Sequence, residues 1–381
     1  MTIISTETPT LAQWDDSLIQ LGDTFAQRAA HYDLTNTFVL ENYEQLKANH
    51  FFSMAIPQEL GGGGLSYTKT CNIIRELAQH CGSTALALSM HQHLVAANIW
   101  RYKQGQNAEP LLRKIAANQL VLVSTGAGDW LSSNGSMEKT EGGYLVTARK
   151  HFASQSPTGD ILVTSARYQD PEKGPVVLHF GVPFTSEGLS VKSDWDTMGM
   201  RGTGSHTVEL TRVFVPDSAI SLSRPQGEFH PVWNTVLTVA MPLIMSVYVG
   251  IAERAVQIAR THAKKGNHVL YLLGEMQNYL TTAQVLWQDM LKLTNEYNFQ
   301  PVNTQANEIL IRKTTVANAC IATVTKAMEV VGGRSFFRKL ELERLFRDVQ
   351  AATFHPLSEK NQHYFTGHFM TTGYFPTDEA E

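Results

Sequence analysis

The hydrophobic pattern of this 381-residue chain changes its period twice, and this limits the folds that the chain can adopt. Residues 1–120 repeat apolar side chains at helical spacing, as in the segment 69–102, which Gly82 and Ser83 divide into two helices. Residues 121–230 carry short runs rich in β-branched residues, and the helical period returns over residues 231–381. The pattern predicts an N-terminal helical domain, a middle β domain and a C-terminal helical domain with these boundaries.

The middle segment predicts a small antiparallel sheet, because turn residues such as Gly142 and Pro183 separate its β-rich runs. Those runs are 120–124, 144–148, 161–166, 176–182, 189–192 and 208–215. Four consecutive glycines at 61–64 predict a loop, since glycine is costly inside a helix. Helices are predicted at 250–262, 270–296, 306–331 and 341–352.

The segment 231–252 carries no charged residue, and its 22 residues are long enough to cross a bilayer. It also contains Asn234, Pro242 and Gly250, and neither flank is clearly basic. These features favour a buried helix at the centre of a soluble helical protein, with no membrane insertion.

Composition excludes several partners. The 31 Lys and Arg against 35 Asp and Glu give a formal charge of −4, and no basic block is long enough to follow a nucleic acid. The three cysteines form no CxxC pair, so neither a disulfide framework nor a metal site is expected. The first residues lack the basic and apolar regions of a signal peptide, which predicts a cytoplasmic protein.

Five motifs then occur in a fixed order along the chain. They are 56–62 (IPQELGG), 198–207 (MGMRGTGSHT), 212–216 (RVFVP), 327–333 (AMEVVGG) and 345–348 (LFRD). Together with the α–β–α order, they resemble the acyl-CoA dehydrogenase superfamily over nearly the whole chain. The resemblance implies an α+β, mainly α fold with a C-terminal four-helix bundle, assembled as a homodimer or homotetramer.

The resemblance also implies FAD, with FMN as the alternative, bound between the β domain and the C-terminal helices. In the family's pattern, Ser124 and Thr125 stand in the loop at the flavin edge, Phe152 covers the ring and Ser154 lies near N5. The candidate cofactor-binding residues are Ser124, Thr125, Phe152, Ser154, Gly332, Gly333 and Ser358. The two glycines are expected to approach the cofactor of a neighbouring subunit.

The residues at the family's catalytic positions differ from its usual pattern. The resemblance places a carboxylate base at one of two positions, which are occupied here by Pro356 and Ala240. Neither side chain can accept a proton. His355, next to the first position, and His91, in the helix that borders the substrate cavity, are the candidate catalytic residues, because a histidine titrates in the useful range.

Three functions remain open from the sequence. The first is an FAD-dependent oxidoreductase that moves a hydride from an acyl thioester or related small molecule to flavin N5 and then serves an electron-transfer partner. CoA as the carrier is in question, because segment 260–266 replaces the family's Arg-x-x-Phe-Gly and Met241 replaces an Arg. The second is a two-component monooxygenase, similar to dibenzothiophene monooxygenase, that takes reduced flavin from a reductase. The third is a non-catalytic binding module.

Overall fold

The computed structural model describes residues 11–125, 131–264 and 266–377. The N-terminal helices are α1 Leu11–Thr35, α2 Leu40–Ala48, α3 Tyr67–His80, α4 Gly82–Lys103 and α5 Glu109–Asn118. The strands are β1 Leu122–Ser124, β2 Ser136–Thr140, β3 Gly143–Ala153, β4 Ile161–Asp170, β5 Gly174–Pro183, β6 Leu189–Val191, β7 His206–Pro216 and β8 Ile220–Pro225. The C-terminal helices are α6 Val232–His262, α7 Asn267–Thr294, α8 Asn303–Val331, α9 Leu342–Val349 and α10 Glu359–Thr372. The α–β–α architecture is confirmed, while the domain boundaries at 120 and 230 stay a prediction.

The division of segment 69–102 into two helices is confirmed. Cys81 has an extended backbone and separates α3 from α4, which begins at Gly82. The Ser66 hydroxyl accepts a hydrogen bond from the Lys69 amide at 3.1 Å and so caps the start of α3. The glycine loop before it is also present. Gly61 has a φ of +87°, and a Cβ at Gly62 would lie 2.3 Å from the Ile56 carbonyl oxygen.

The middle segment forms one eight-stranded sheet with the order β6-β7-β3-β2-β4-β5-β8, and β1 pairs with β4. The predicted antiparallel pairing holds for most neighbouring strands. Two pairings differ from it, because β4 runs parallel to both β1 and β2. The two short strands lie end to end along β4, since β1 pairs with Ile161–Val163 and β2 with Arg167 and Tyr168. Strands β2 and β8 were not predicted, because half-exposed polar residues dominate both.

The uncharged segment lies in α6, a helix of 31 residues that is long and apolar enough to cross a membrane. In the structure, 94% of its most apolar window is buried inside the protein. The helix packs against α3 and α4 from the N-terminal region and against α7 and α8 from the C-terminal region. This burial supports the interpretation of α6 as a core helix.

Pro242 lies inside α6, and the structure compensates for the hydrogen bond that it removes. Because proline has no N–H, the carbonyl of Thr238 lacks its usual helical donor. The Thr294 hydroxyl of α7 donates to that carbonyl at 3.0 Å. The Trp287 indole N–H, also on α7, donates to the Pro242 carbonyl at 3.2 Å. These bonds fix α6 against α7 at the centre of the bundle.

The end of the chain differs from the prediction in one respect. The helix predicted at 341–352 is α9, which continues as a 3₁₀ turn over Gln350–Phe354. After His355, the chain enters α10, which was not predicted because its apolar positions are few and its hydrophobic face is narrow. His355 therefore lies in a short connection with a helix at each end, α9 before it and α10 after it.

Candidate active site

The predicted flavin-edge residues lie at the ends of β1 and β3. Ser124 is the last residue of β1, and the Thr125 hydroxyl lies 2.9 Å from the Thr164 hydroxyl of β4. Both side chains are half-buried. The loop that follows them, 126–130, lies outside the described residues. Ser124 and Thr125 thus present hydroxyl and backbone groups at one edge of the sheet.

Phe152 occupies an unusual backbone conformation near the end of β3. Its φ is +56°, a region that residues other than glycine rarely adopt, and its ring is 58% exposed. The edge of Trp195 packs against it, with ring centroids 6.0 Å apart and an interplanar angle of 82°. Such strain in an exposed aromatic residue is typical of a ligand contact.

Ser154, two residues further along, begins a chain of hydroxyl groups. Its oxygen lies 2.7 Å from the Ser205 hydroxyl, which lies 2.8 Å from the Thr203 hydroxyl. Thr203 donates to the Met200 carbonyl at 2.9 Å. An aromatic face with hydroxyl groups beside it matches what an isoalloxazine ring requires, so these residues fit a flavin.

His91 is fully buried in α4, and both of its ring nitrogens contact backbone groups. Nδ1 accepts from the Leu122 amide of β1 at 3.0 Å, which places the proton on Nε2. Nε2 then donates to the Phe52 carbonyl at 2.8 Å. Burial lowers the pKa of His91 to about 4, so the ring is neutral. Neither nitrogen is left to meet a substrate.

His93, two residues further along α4, faces a different direction. Its side chain is 8% exposed, and its Nδ1 is buried without a hydrogen-bond partner in the described part of the chain. Burial lowers its pKa to about 4, and in its protonated form, at acid pH, it contributes to lowering the pKa of His355. The imidazole of α4 that lies near His355 is therefore His93, which the sequence analysis did not select.

His355 is partly accessible, and its Nε2 lies 2.5 Å from the hydroxyl of the buried Tyr248 on α6. Burial raises the pKa of Tyr248 well above its usual value, so the phenol keeps its proton. Nε2 is the only partner that the Tyr248 hydroxyl has among the described residues, so the phenol donates to it. The His355 proton is then on Nδ1, which makes no hydrogen bond within the described chain.

Burial lowers the pKa of His355 to about 3, and the charges of Lys313 and His93 add to this shift. The expectation from the sequence that the pKa of His355 lies near neutral pH is therefore wrong. A desolvated imidazole beside a buried ammonium group is uncharged at pH 7. His355 can act there as a neutral hydrogen-bond donor through Nδ1–H.

No free carboxylate accompanies these imidazoles in the described residues. Ala240 is buried on α6, and Pro356 follows His355 directly. Asp348, whose pKa burial raises to about 6, accepts from the Met200 amide at 2.5 Å. Glu359 accepts from the Asn318 side chain at 3.1 Å, away from His355 Nε2. The site therefore offers neutral imidazoles where a dehydrogenase needs a carboxylate.

The remaining predicted cofactor residues lie at helix ends. Gly332 ends α8 with a φ of +70°, and a Cβ at Gly332 or Gly333 would meet nothing within 4 Å. The exposed Ser358 precedes α10 and makes no side-chain capping bond. Both places have room for a ligand or a second chain. Within the described residues, no group of three or more metal-binding side chains occurs.

Helix α4 connects the two halves of the site. His91 accepts a hydrogen bond from Leu122 of β1, two residues before Ser124, and so holds α4 against the sheet. His93 lies on the side of α4 that is near His355. The hydroxyl groups at the sheet edge and the histidines of the helical region are therefore neighbours across one helix. Sequence periodicity could not reveal this, because α4 is buried all round and shows no polar face.

Comparison with known proteins agrees with this architecture. Residues 20–119 match the family "Acyl-CoA dehydrogenase, N-terminal domain", and residues 243–359 match "Acyl-CoA dehydrogenase, C-terminal domain". The chain belongs to the acyl-CoA dehydrogenase superfamily. Members of this superfamily are flavin-dependent oxidoreductases and include monooxygenases.

Two relatives represent the two chemistries. The putative acyl-CoA dehydrogenase YdbM of Bacillus subtilis (strain 168) is 27% identical over 373 residues, which cover 90% of this chain and 93% of that protein. Dibenzothiophene monooxygenase of Mycolicibacterium goodii is 25% identical over 371 residues, which cover 84% of this chain and 85% of that one. Both matches span the whole architecture.

Solved structures share the fold. KijD3, in a complex with FMN and dTDP-3-amino-2,3,6-trideoxy-4-keto-3-methyl-D-glucose, aligns with a TM-score of 0.86 and 22% identity. The alignment covers 97% of each chain. At this identity, the likeness shows the fold.

Proposed function

We propose that this protein is a flavin-dependent monooxygenase that receives reduced flavin from a separate reductase and acts on a small molecule. The observation that carries the proposal is the neutral imidazole of His355, bonded to Tyr248, next to a position where Pro356 replaces the carboxylate of a dehydrogenase. Oxygen insertion needs no base to remove an α proton, so this arrangement suits it. The match to dibenzothiophene monooxygenase supports the same function.

Bound reduced flavin would supply two electrons to O₂, so that one oxygen atom enters the substrate and the other leaves as water. The residues of this chain then have separate tasks. Phe152 covers one face of the ring, and Ser154 with its hydroxyl chain holds the ring edge. His355 donates from Nδ1–H to the reacting oxygen, because Tyr248 fixes the tautomer. His93 supplies the second imidazole, and the apolar Ala240 and Met241 exclude water.

FMN is the cofactor that we propose. Segment 260–266 lacks the family stretch that holds the second half of FAD across a subunit interface, and KijD3 binds FMN on the same fold. Two exposed aromatic residues follow Gly332 and Gly333, Phe336 at 84% and Phe337 at 68% exposure. Exposed aromatic rings of this kind mark an interaction surface, which supports a homo-oligomer.

The test compares two reactions of the purified protein. Photoreduced FMN is mixed with the protein and dibenzothiophene or indole under ¹⁸O₂, and the product is analysed for one ¹⁸O atom. In parallel, the FMN-loaded and FAD-loaded proteins are titrated with a panel of acyl-CoA thioesters without oxygen. We expect labelled product in the first reaction and an oxidised flavin spectrum throughout the second.

Bleaching of the flavin band by a thioester without oxygen would overturn the monooxygenase proposal. It would establish the second candidate, the dehydrogenase, which the 27% identity with YdbM favours. A His355→Gln variant run in both reactions shows whether the same residue serves the chemistry that is found.

A further inference from the structure

Lys313 is a buried cation that the proposed reaction does not use. It lies on α8 with 1% of its side chain exposed. Its Nζ donates to the carbonyl oxygen of His355 at 2.8 Å and to that of Leu357 at 2.9 Å. In the described residues, no carboxylate lies within 4 Å of Nζ, and the nearest negative influence is that of Glu359. Burying an ammonium group without an ion pair is costly, so its retention calls for a reason.

The two acceptors show what Lys313 holds. The carbonyls of His355 and Leu357 flank Pro356, so one ammonium group fixes both ends of the turn that carries the imidazole. In α9, which precedes this turn, Asp348 accepts a hydrogen bond from the Met200 amide. This bond fixes the chain on the N-terminal side of the turn. The Tyr248 hydroxyl meets the ring itself. The backbone and the ring of His355 are thus held from three different elements.

Lys313 also acts on His355 through its charge. The charged and titratable groups around the ring are Lys313 on α8, Tyr248 on α6, His93 on α4 and Glu359 at the start of α10. Burial is the main reason that the pKa of His355 is low, and the positive charge of Lys313 is the next contribution. His93, whose pKa is about 4, adds to the shift only at acid pH. Glu359 raises the pKa of Lys313, and burial lowers it to about 8, so the amine is charged below that pH.

We propose that Lys313 is a positioning residue, which fixes the turn that carries His355 through two carbonyl groups and adds a positive charge that opposes protonation of the ring. The inference rests on the proposed role of His355. It assigns to α8 the task of keeping the Nδ1–H donor in one place and in one protonation state.

The test follows His355 directly. The full-length protein is labelled with ¹³Cε1-histidine, and the His355 resonance is the one missing in His355→Gln. In Lys313→Gln, which keeps a hydrogen-bond donor and removes the charge, we expect the His355 titration to begin about 1 pH unit higher than in the wild type. Lys313→Arg keeps the charge and should restore the wild-type titration. The matched control is Lys326→Gln, on the same helix, whose amine pairs with Glu275 and Glu329.

A second measurement needs no variant. In the wild type, deprotonation of Lys313 should move the His355 resonance with a midpoint near pH 8, although the imidazole itself stays neutral. An unchanged His355 titration in folded Lys313→Gln, or no inflection between pH 7 and 9 in the wild type, would overturn the proposal. Neither readout depends on turnover. The ¹⁸O assay therefore tests the monooxygenase function independently of the proposal for Lys313.

Discussion

The two faces of helix α4 hold histidines in opposite settings. On the sheet side, both ring nitrogens of His91 bond to the backbone, and the ring joins the helical region to β1. On the other side, His93 has a buried Nδ1 that lacks a hydrogen-bond partner among the described residues. It lies near His355, whose Nδ1–H likewise makes no hydrogen bond to the residues that the structure describes. Burial lowers the pKa of all three rings. The pKa values therefore do not distinguish His91, which joins two parts of the fold, from His355, the proposed catalytic residue. The hydrogen bonds of the two rings do distinguish them.

Among the changes that test this comparison, replacing His355 should have the largest effect, which we expect on kcat. Replacement by glutamine should lower kcat by about 100-fold or more, because a positioned imidazole contributes at least that much to proton transfer and hydrogen bonding. The thermal midpoint should change little, since a glutamine carbonyl can accept the Tyr248 hydrogen bond in place of Nε2. Stopped-flow turnover and calorimetry measure the two quantities. A variant with wild-type kcat would remove His355 from the mechanism.

Replacing His91, on the side of α4 that faces the sheet, should instead lower the stability of the fold. His91→Ala leaves the Phe52 carbonyl and the Leu122 amide without their side-chain partners, and we expect the free energy of unfolding to fall by about 2–4 kcal/mol. Urea denaturation followed by fluorescence gives this value. An unchanged unfolding midpoint would show that His91 does not hold α4 to β1.

The buried neutral imidazoles also predict an acid-sensitive fold. His91, His93, His355 and His179 have folded pKa values of about 3 to 4, below the usual value of 6.5, so below pH 6.5 the unfolded chain binds more protons than the folded one. Asp348, whose pKa is raised to about 6, acts in the opposite direction between pH 4 and 6.

Stability should therefore fall as the pH drops from 6.5 to 4.5, by up to ~1.4 kcal/mol per pH unit for each net proton. Urea titrations at half-unit steps of pH measure the slope. A flat profile between pH 5 and 6.5 would contradict the buried, neutral state of these rings.

The smallest effect concerns the tautomer. Tyr248→Phe removes the donor to His355 Nε2 and frees the ring to place its proton on either nitrogen. We expect kcat to fall about 10-fold with little change in KM, from the loss of one hydrogen bond that costs about 1 kcal/mol and of the tautomer preference. Steady-state kinetics at saturating reduced FMN separate the two parameters. An equal rise in KM would instead indicate a role in binding.

The sequence predicted the helices and most strands because their patterns are local. It did not predict the parallel pairing of β1 and β2 with β4, because that pairing depends on where loops return the chain. It selected His91 rather than His93, since two positions on a fully buried helix look alike in periodicity. Tyr248 was missed because it lies in an apolar stretch, and Lys313 because it stands beside Arg312 and Thr314 in a polar run that looks like a solvent-exposed face. Only tertiary packing brings the two residues to His355.

The central position of α6 also affects how the chain must emerge from the ribosome. The helices that pack against α6 include α3 and α4, which are made before it, and α7 and α8, which are made after it. At 5–20 residues per second, the roughly 70 residues from the end of α6 to the end of α8 take ~3–14 s to synthesise. During that interval a bilayer-length apolar helix lacks the partners that are made after it, and we expect newly made chains to need protection from aggregation in this window.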